Sequence, residues 1–441
     1  MKKYDSYKDS GIEWMGQIPS HWKIMPIKHI KSKEEFAFVD GPFGSNLKSE
    51  HYIENGDVYV IESGFITTGK FLFKKFKTIS LSHFETIKRS SCKEGDIIIA
   101  KIGFNFGMCA ELPKLDKESV VSGNSLKITL DHNLLLNQIF IDLMNLAKNK
   151  NAYIGLVQET AQPALSLSGL NNFKLSVPPL SEQKMIADYL DRKCREIDAA
   201  VAKVEKELEL LDELKQSEIS KAVTKGLNPN VSFKPSGIDW IGQIPSHWEI
   251  IKVKHKYKML TGFTPATKTP EYYDKENGYI WITIGDMNSE EIVDSINKIS
   301  FKYISEFMPE ISPKGSLLYS FKLSVGQVAF CGKDMYTNEA IATFLQNPEI
   351  DLKFLKYSSN LIINNANINI YGAPIMNQEL IKNAPIVFPP LSEQKEIADY
   401  LDRRCGEIDS LKEKLKQKRE KLQELRQSLI SEVVTGKRKV I

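Results

Sequence analysis

Seven histidines and five cysteines are the side chains of this 441-residue chain best suited to metal binding or nucleophilic chemistry, and their spacing supports neither. Cys92, Cys109, Cys194, Cys331 and Cys405 are odd in number and form no C-x-x-C pair. That supports neither a disulfide framework nor a cysteine-rich zinc site, and predicts reduced, mostly buried thiols. The chain has no G-x-x-x-x-G-K-[ST] phosphate loop, no H-E-x-x-H and no Asn-Pro-Pro-Tyr-like tetrad. FPPL at 388–391 comes nearest to that tetrad and belongs to a repeated segment. A nuclease assembled from scattered carboxylates and a lysine stays open at this point. His21 and His247 each precede a tryptophan, Trp22 and Trp248, at matching places in a repeat, which favours packing over metal or catalytic work. Cys194 and Cys405 are matched in the same way, so packing again outweighs reactivity.

The repeat that matches these residues organises the chain. GIEWMGQIPSHW at 11–22 returns as GIDWIGQIPSHW at 237–248, and PPLSEQKMIADYLDRKCREID at 178–198 returns as PPLSEQKEIADYLDRRCGEID at 389–409. The first pair is offset by 226 residues and the second by 211, periods too long for a solenoid, so one unit has been duplicated. The intervening stretches, roughly 30–177 and 256–388, show little likeness. Two divergent modules on two nearly identical scaffolds imply one geometry presenting two different binding surfaces.

Each repeated PPLSEQ segment begins a long helix. The prolines disfavour helix before them, Ser181 suits the N-cap, and Glu182 sits where the macrodipole favours negative charge. Leu190, Cys194, Ile197, Val201, Val204, Leu208 and Leu211 step by four and three as an a/d seam. In the second copy the seam is read as Leu401, Cys405, Ile408, Leu411, Leu415, Leu422, Leu425 and Leu429. Gly226 and Gly436 supply the stops. A helix of some 40 residues spans about 60 Å, and with one apolar stripe it needs a partner. The twin helix is that partner, in an intramolecular antiparallel coiled coil related by a pseudo-twofold axis. The first helix carries 9 basic and 11 acidic residues over 182–225, and the second 13 and 10 over 393–441, which supports pairing weakly. VTKGLNPNVSFKPSGIDW joins the first helix to the second module, while the chain ends VTGKRKVI and begins with a segment containing YKDSGIEW, as though one linker had been cut. Neighbouring termini and tolerance of circular permutation follow.

The modules mix short β-branched runs with turn residues: VYVIE, GDIIIAKIG and SLKITL in the first, YIWITIGDM, GSLLYSF and QVAFCG in the second. Each adds one internal helix, LLLNQIFIDLMNLAKN or DLKFLKYSSNLIINN. An α+β fold built round a twisted sheet is predicted for each module. The predicted organisation is a first domain at 1–180, a helix at 181–226, a second domain at 227–391 and a second helix at 392–441. Composition is that of an ordinary globular protein, with 42% apolar and 26% charged residues. MKKYDSYKDSGIEW lacks the apolar core of a signal peptide and no run of about 18 apolar residues occurs, so a cytoplasmic location without membrane contact is expected.

On these residues the chain resembles the DNA specificity subunit of type I restriction-modification systems over essentially its whole length. The carrying motifs are both copies of PPLSEQ with IADYLD and of GQIPSHW, together with DGPFGSNLKSEHY at 40–52, LTGFTPATKTPEYYDKENGYIWITIGDM at 260–287 and GAPIMNQEL at 372–380. The resemblance implies that each module is a target recognition domain reading one half of a bipartite, asymmetric site in double-stranded DNA. It implies that the helices set the unread spacer and dock two methyltransferase subunits, and that restriction subunits join the full complex. This chain would then be non-catalytic and bind no cofactor, with S-adenosylmethionine, ATP and Mg serving the partners. A stand-alone DNA-cleaving or DNA-methylating enzyme, and a coiled-coil scaffold with no DNA role, are the alternatives.

Loop side chains able to read base edges or hold phosphates are the DNA-contact candidates. They are Ser45, Asn46, Lys48, Lys101, Asn105, Asn124, Ser125 and Gln162 in the first module. In the second they are Thr264, Thr267, Lys268, Thr269, Lys322, Ser324, Asn338 and Asn377. Net charge gives little electrostatic grip: +3 overall, with 17 basic against 16 acidic residues over 30–177 and 12 against 14 over 256–388. Weak, salt-sensitive DNA binding by the chain alone is expected, with partners closing round the duplex to raise the affinity.

Overall fold

A computed structural model describes residues 2–66, 69–157, 164–322, 324–368 and 374–440. The chain divides into two units, Met1–Val204 with Lys418–Ile441, and Glu205–Gln417. The two long helices contribute to both.

In the first unit the module strands are β1 (Phe38–Asp40), β2 (Val58–Ile61), β3 (Lys77–Ile79), β4 (Ser91–Cys92), β5 (Ile97–Ala100), β6 (Cys109–Glu111), β7 (Glu118–Val121) and β8 (Ser125–Ile128). They form two four-stranded sheets, ordered β3-β2-β7-β4 and β1-β8-β5-β6. The single sheet expected from sequence is therefore two. The all-buried run IIIA of β5 supplies both faces: Ile97 and Ile99 enter the main core, whereas Ile98 and Ala100 enter a second core with Ile61 and Val121. Helix α1 (Asn137–Asn149) buries Ile139, Phe140, Leu143, Met144 and Ala147 against the main core, the i, i+3/i+4 spacing of an amphipathic helix.

The second unit repeats this plan with a dissimilar sequence. Strands β9 (Met259–Thr261), β10 (Tyr279–Ile282), β11 (Glu291–Ile292), β12 (Lys298–Ile299), β13 (Leu317–Ser320), β14 (Val328–Cys331), β15 (Tyr336–Thr337) and β16 (Ile341–Phe344) make a five-stranded sheet, β9-β16-β13-β14-β11, and a three-stranded one, β12-β10-β15. The first four strands of the larger sheet take the order and antiparallel sense of β1-β8-β5-β6. The single helix expected over 351–365 is instead two, Leu352–Ser358 and Asn360–Ile363. The break falls at Ser359, whose hydroxyl donates to the Lys356 carbonyl at 2.8 Å and so competes with the helix ladder.

The long helices run from Leu180 to Lys225 (α2) and from Leu391 to Val434 (α3), 46 and 44 residues. Ser181 lies inside the first turn rather than capping it, because the Glu182 and Gln183 amides already donate to the Pro179 carbonyl at 2.9 and 3.0 Å. In the second unit Asp212 pairs with Lys412, and Lys215 lies 2.6 Å from Asp409. Three residues forward on α2 are three back on α3, which is antiparallel pairing. In the first unit Arg438 lies over the Tyr189 ring and Arg426 forms an ion pair with Asp198 at 2.9 Å, the same sense. Leu190, Ile197, Val204, Leu401, Ile408 and Leu429 are buried on the seam, with Val201, Leu208, Leu211, Leu415 and Leu422 half-buried.

Leu411 and Leu425 are corrections. They are 47% and 52% exposed, and the α3 seam keeps its strict four-three step through Lys412, Arg419 and Arg426 instead. The hydrophobicity of the leucines pointed one position off the period. Asp212 and Asp198 set an opposite charge beside two of the three cations, Lys412 and Arg426.

The duplicated motifs meet at the helix starts. Trp22, fully buried, donates its indole N–H to Glu182 Oε2 at 3.0 Å; His21 Nε2 lies 2.5 Å from Oε1, and the Tyr4 hydroxyl donates to Oε2 at 3.1 Å. In the second unit Trp248 and His247 hold Glu393 at 2.9 and 2.7 Å. The adjacent glutamines are buried and splice loops to the helix. Gln183 accepts from the Leu136 amide and donates to the Leu134 and Pro178 carbonyls; Gln394 accepts from the Asp351 amide and donates to the Pro389 carbonyl. Past the helix ends Gly226 and Gly436 adopt φ of +73° and +72°, packed on Trp248 and on Trp22 respectively. The Lys439 amide donates to the Lys2 carbonyl at 3.0 Å, so the two ends of the chain lie side by side.

Candidate nucleic-acid interface

One end of the sheet β1-β8-β5-β6 gathers the first module's candidate loops. The loop at 41–48 leaves β1, the hairpin loop at 101–108 joins β5 to β6, and the turn at 122–124 enters β8. Gly41 fixes their closeness, since a Cβ there would stand 1.9 Å from the Ser122 carbonyl oxygen. The Lys101 amide donates to the Asn124 carbonyl at 2.9 Å, tying hairpin to turn. Asp40, at the end of β1, holds Arg89 at 2.8 Å and Lys101 at 3.3 Å. Lys101 is thus half-buried against a carboxylate. Ser45, Asn46, Lys48 and Asn124 are exposed and Asn105 half-exposed. The 45–48 segment is braced from behind: His83 bonds the Asn46 carbonyl at 3.0 Å, and His51, stacked on His83, accepts from the Lys48 amide at 3.0 Å. Ser125 is a correction, for it is fully buried in β8 with its hydroxyl 3.3 Å from that of Ser122. Gln162 lies outside the described residues.

The second module builds the same end from β9, β13, β14 and β16. Gly262 stands where Gly41 does, its notional Cβ 1.9 Å from the Thr337 carbonyl oxygen. The Phe321 amide donates to the Ala340 carbonyl as Lys101 does to Asn124, and Gly326, at φ +90°, closes the hairpin as Gly107 does at +85°. Thr267, Lys268, Lys322 and Ser324 are exposed here, with Thr269 and Asn338 half-exposed. The Thr264 hydroxyl donates to Glu339, whose carboxylate also lies 3.7 Å from Lys322 and is held below the usual range first by the Thr264 bond. Asn338 accepts from the Ala340 amide at 3.1 Å. Asn377 is exposed as the N-cap of the helix Gln378–Asn383, accepting from the Leu380 amide at 2.8 Å, and the adjacent Gln378 donates to the Thr261 hydroxyl at 2.9 Å, beside Gly262.

The arrangement offers amides, hydroxyls and a few cations on rigid hairpins, the inventory for reading base edges and phosphates. Cys92, Cys109, Cys331 and Cys405 are buried and Cys194 half-buried; burial pushes the Cys92 and Cys331 thiols up to about 12, which leaves them protonated and unreactive. Among the described residues no group of three or more His, Cys, Asp or Glu is placed to hold a metal ion, and no helix is long and apolar enough to cross a membrane. Two aromatics on these loops, Phe43 and Phe104, are 67% and 92% exposed, although their residue type marks neither as a base-reading or phosphate-holding group. Only exposure, invisible in sequence, sets them apart from core phenylalanines.

Residues 43–210 and 245–420 both match the family described as the type I restriction modification DNA specificity domain. The chain is 24% identical over 456 residues to the type I restriction enzyme MjaVIII specificity subunit of Methanocaldococcus jannaschii, covering 98% of this chain and 97% of that one. It is 23% identical over 291 residues to the EcoBI specificity subunit of Escherichia coli, covering 62% and 60%. Among solved structures, the fold matches a chain from work on complex assembly and conformational transition of the type I R-M system, with a TM-score of 0.71, 16% identity and 95% and 98% of the two chains covered. It also matches the HsdS subunit of Thermoanaerobacter tengcongensis, with a TM-score of 0.55, 17% identity and the same coverage.

Proposed function

Because this chain belongs to the type I restriction-modification DNA specificity family and is a DNA recognition subunit, we propose that its two modules read the two halves of a bipartite, asymmetric site. The observation that carries this is the repeated sheet end: the same strand order and the same glycine-fixed loop junction appear in both modules with different side chains on the loops. One scaffold with two surfaces is what two unlike half-sites require.

In this reading the chain itself catalyses nothing and binds no cofactor. Two methyltransferase subunits dock on the helices and restriction subunits complete the complex, in the cytoplasm, with S-adenosylmethionine, ATP and Mg used by those partners. The near-neutral modules neutralise few phosphates, so the chain alone binds DNA weakly and loses affinity steeply with salt. Nanomolar binding by the isolated chain at physiological salt contradicts that division of labour. The helices act as the ruler. Inserting one heptad near Leu208 and a matching one near Leu422 should lengthen the unread spacer in the methylated sequence and leave both half-sites as they are. Altered half-sites, or an unchanged spacer in a folded protein, overturn the ruler. Turnover on DNA by the chain without partner subunits would establish the enzyme alternative.

A further inference from the structure

Phe104 is the most exposed large apolar side chain in the described residues, at 92%, and it stands on the hairpin loop between β5 and β6. Its position is not slack. The Phe106 amide donates to the Gly103 carbonyl at 3.0 Å, the Met108 amide to Asn105 at 3.0 Å and the Gly107 amide to Ala100 at 2.8 Å, so the loop is a closed, hydrogen-bonded turn. Gly103 and Gly107 take φ of +89° and +85°, and a Cβ on Gly107 would meet the buried Tyr153 ring at 2.3 Å. The backbone therefore holds the phenyl ring out into solvent at considerable cost in exposed apolar area.

A cation is built in behind it. Lys148, in the last turn of α1, lies 3.6 Å from the Phe106 ring centroid and 5.9 Å from that of Phe104. No carboxylate pairs with it among the described residues, and burial lowers its pKa. The neighbouring cation Lys101 is already neutralised by Asp40. Around the tip, Asn105 and Asn124 supply base-reading amides. A rigid apolar projection flanked by an unpaired cation and amides suits a stacked, polyanionic ligand with gaps between flat apolar faces, which is a nucleic-acid duplex.

We propose that Phe104 is a wedge residue that inserts between two base pairs of the half-site read by the first module while Lys148 engages an adjacent phosphate. The inference rests on the DNA-reading role of that module and adds to it a deformation step: the sequence is read partly by how readily one base step unstacks.

The test uses the complex of this chain with its methyltransferase subunits and a duplex carrying the sequence that it methylates in cells, with 2-aminopurine placed in turn at each purine of the first half. The wild-type complex should raise fluorescence at one step. Phe104→Ala should abolish that rise and weaken binding roughly ten- to hundredfold, Phe104→Leu should retain part of both, and an abasic lesion at the step should restore much of the binding lost by Phe104→Ala. Base preferences in the second half should not change. Lys148→Gln should weaken binding equally on all sequences and lower the salt slope by about one. A Phe104→Ala complex that binds within twofold of wild type with the same fluorescence pattern overturns the wedge and leaves the reading role standing. A wild-type complex that does not distinguish its methylated sequence from a scrambled one overturns both. Loss of methyltransferase subunits from Phe104→Ala in the absence of DNA makes the ring a protein contact and also overturns the wedge.

Discussion

Replacing Glu182 with alanine should destabilise the first unit far more than a helix-dipole role explains. Glu182 has a side-chain exposure of 16% and accepts from the Trp22 indole at 3.0 Å and the Tyr4 hydroxyl at 3.1 Å, with His21 Nε2 at 2.5 Å. If Glu182 only complemented the macrodipole, its loss would cost about 0.3–1 kcal/mol. Truncation instead strands the N–H of a fully buried tryptophan and half-buries an unpaired hydroxyl, at about 1–3 kcal/mol for each buried group. His21 is largely exposed and rehydrates with little loss. The expected cost is about 3–5 kcal/mol, or roughly 6–20 °C in the melting of a unit of this size. Glu182→Gln keeps one acceptor and should cost about half as much. Glu393→Ala, which lacks the tyrosine partner and strands only the Trp248 N–H, should cost about 1–3 kcal/mol in the second unit. Urea unfolding combined with hydrogen exchange over residues 17–26 and 243–252 assigns each loss to its own unit. A Glu182→Ala protein within about 1 kcal/mol of wild type, with unchanged exchange at 17–26, would refute the anchoring role.

Other consequences can be checked as directly. Leu411→Gln and Leu425→Gln should each change stability by no more than about 0.5 kcal/mol, whereas Ile408→Gln should cost about 3 kcal/mol, measured by denaturant unfolding. Burial pushes the Asp142 carboxyl up to about 6. A folded pKa above the unfolded value near 4 gives stability that is complete below 4 and lost as pH rises through 6. The advantage of Asp142→Asn over wild type should therefore grow by about 2 kcal/mol between pH 4 and pH 8; an advantage independent of pH would refute this. Gly41→Ala cannot be accommodated beside the Ser122 carbonyl and should reduce methylation at least tenfold (~1.4 kcal/mol), through the first half-site alone, with Gly262→Ala acting through the second. Equal activity of either variant would show that the loop junction is not fixed as described.

Much of this architecture is legible in the chain because the duplication marks it. The repeated motifs locate the helices and the two modules, and the strand runs IIIA and LLYS sit where β-branched and aromatic density places them. The common sheet order of the modules is not legible, since different apolar residues fill equivalent strands and the repeated constraints, Gly41 with Gly262 and Gly107 with Gly326, are isolated glycines. Glu182 and Glu393 look like ordinary first-turn carboxylates until the tertiary fold brings tryptophan to them. At Leu411 and Leu425 hydropathy outweighed period, because a cation on the seam is tolerated when an aspartate stands opposite, as Asp212 does to Lys412. Among the candidate contacts, residue type identified exposed Asn46, Lys48 and Lys268, yet could not tell that Ser125 is interior or that Asn377 is committed to a cap.

In the proposed function each module independently addresses one half of the DNA site. Exchanging residues 30–177 for the corresponding module of a related specificity subunit, and sequencing the methylome of cells that carry the hybrid with its methyltransferase, measures this in one step. A new first half-site, with the spacer and the second half-site retained, is the expected result. An unchanged methylated sequence, or one altered in both halves, would contradict it.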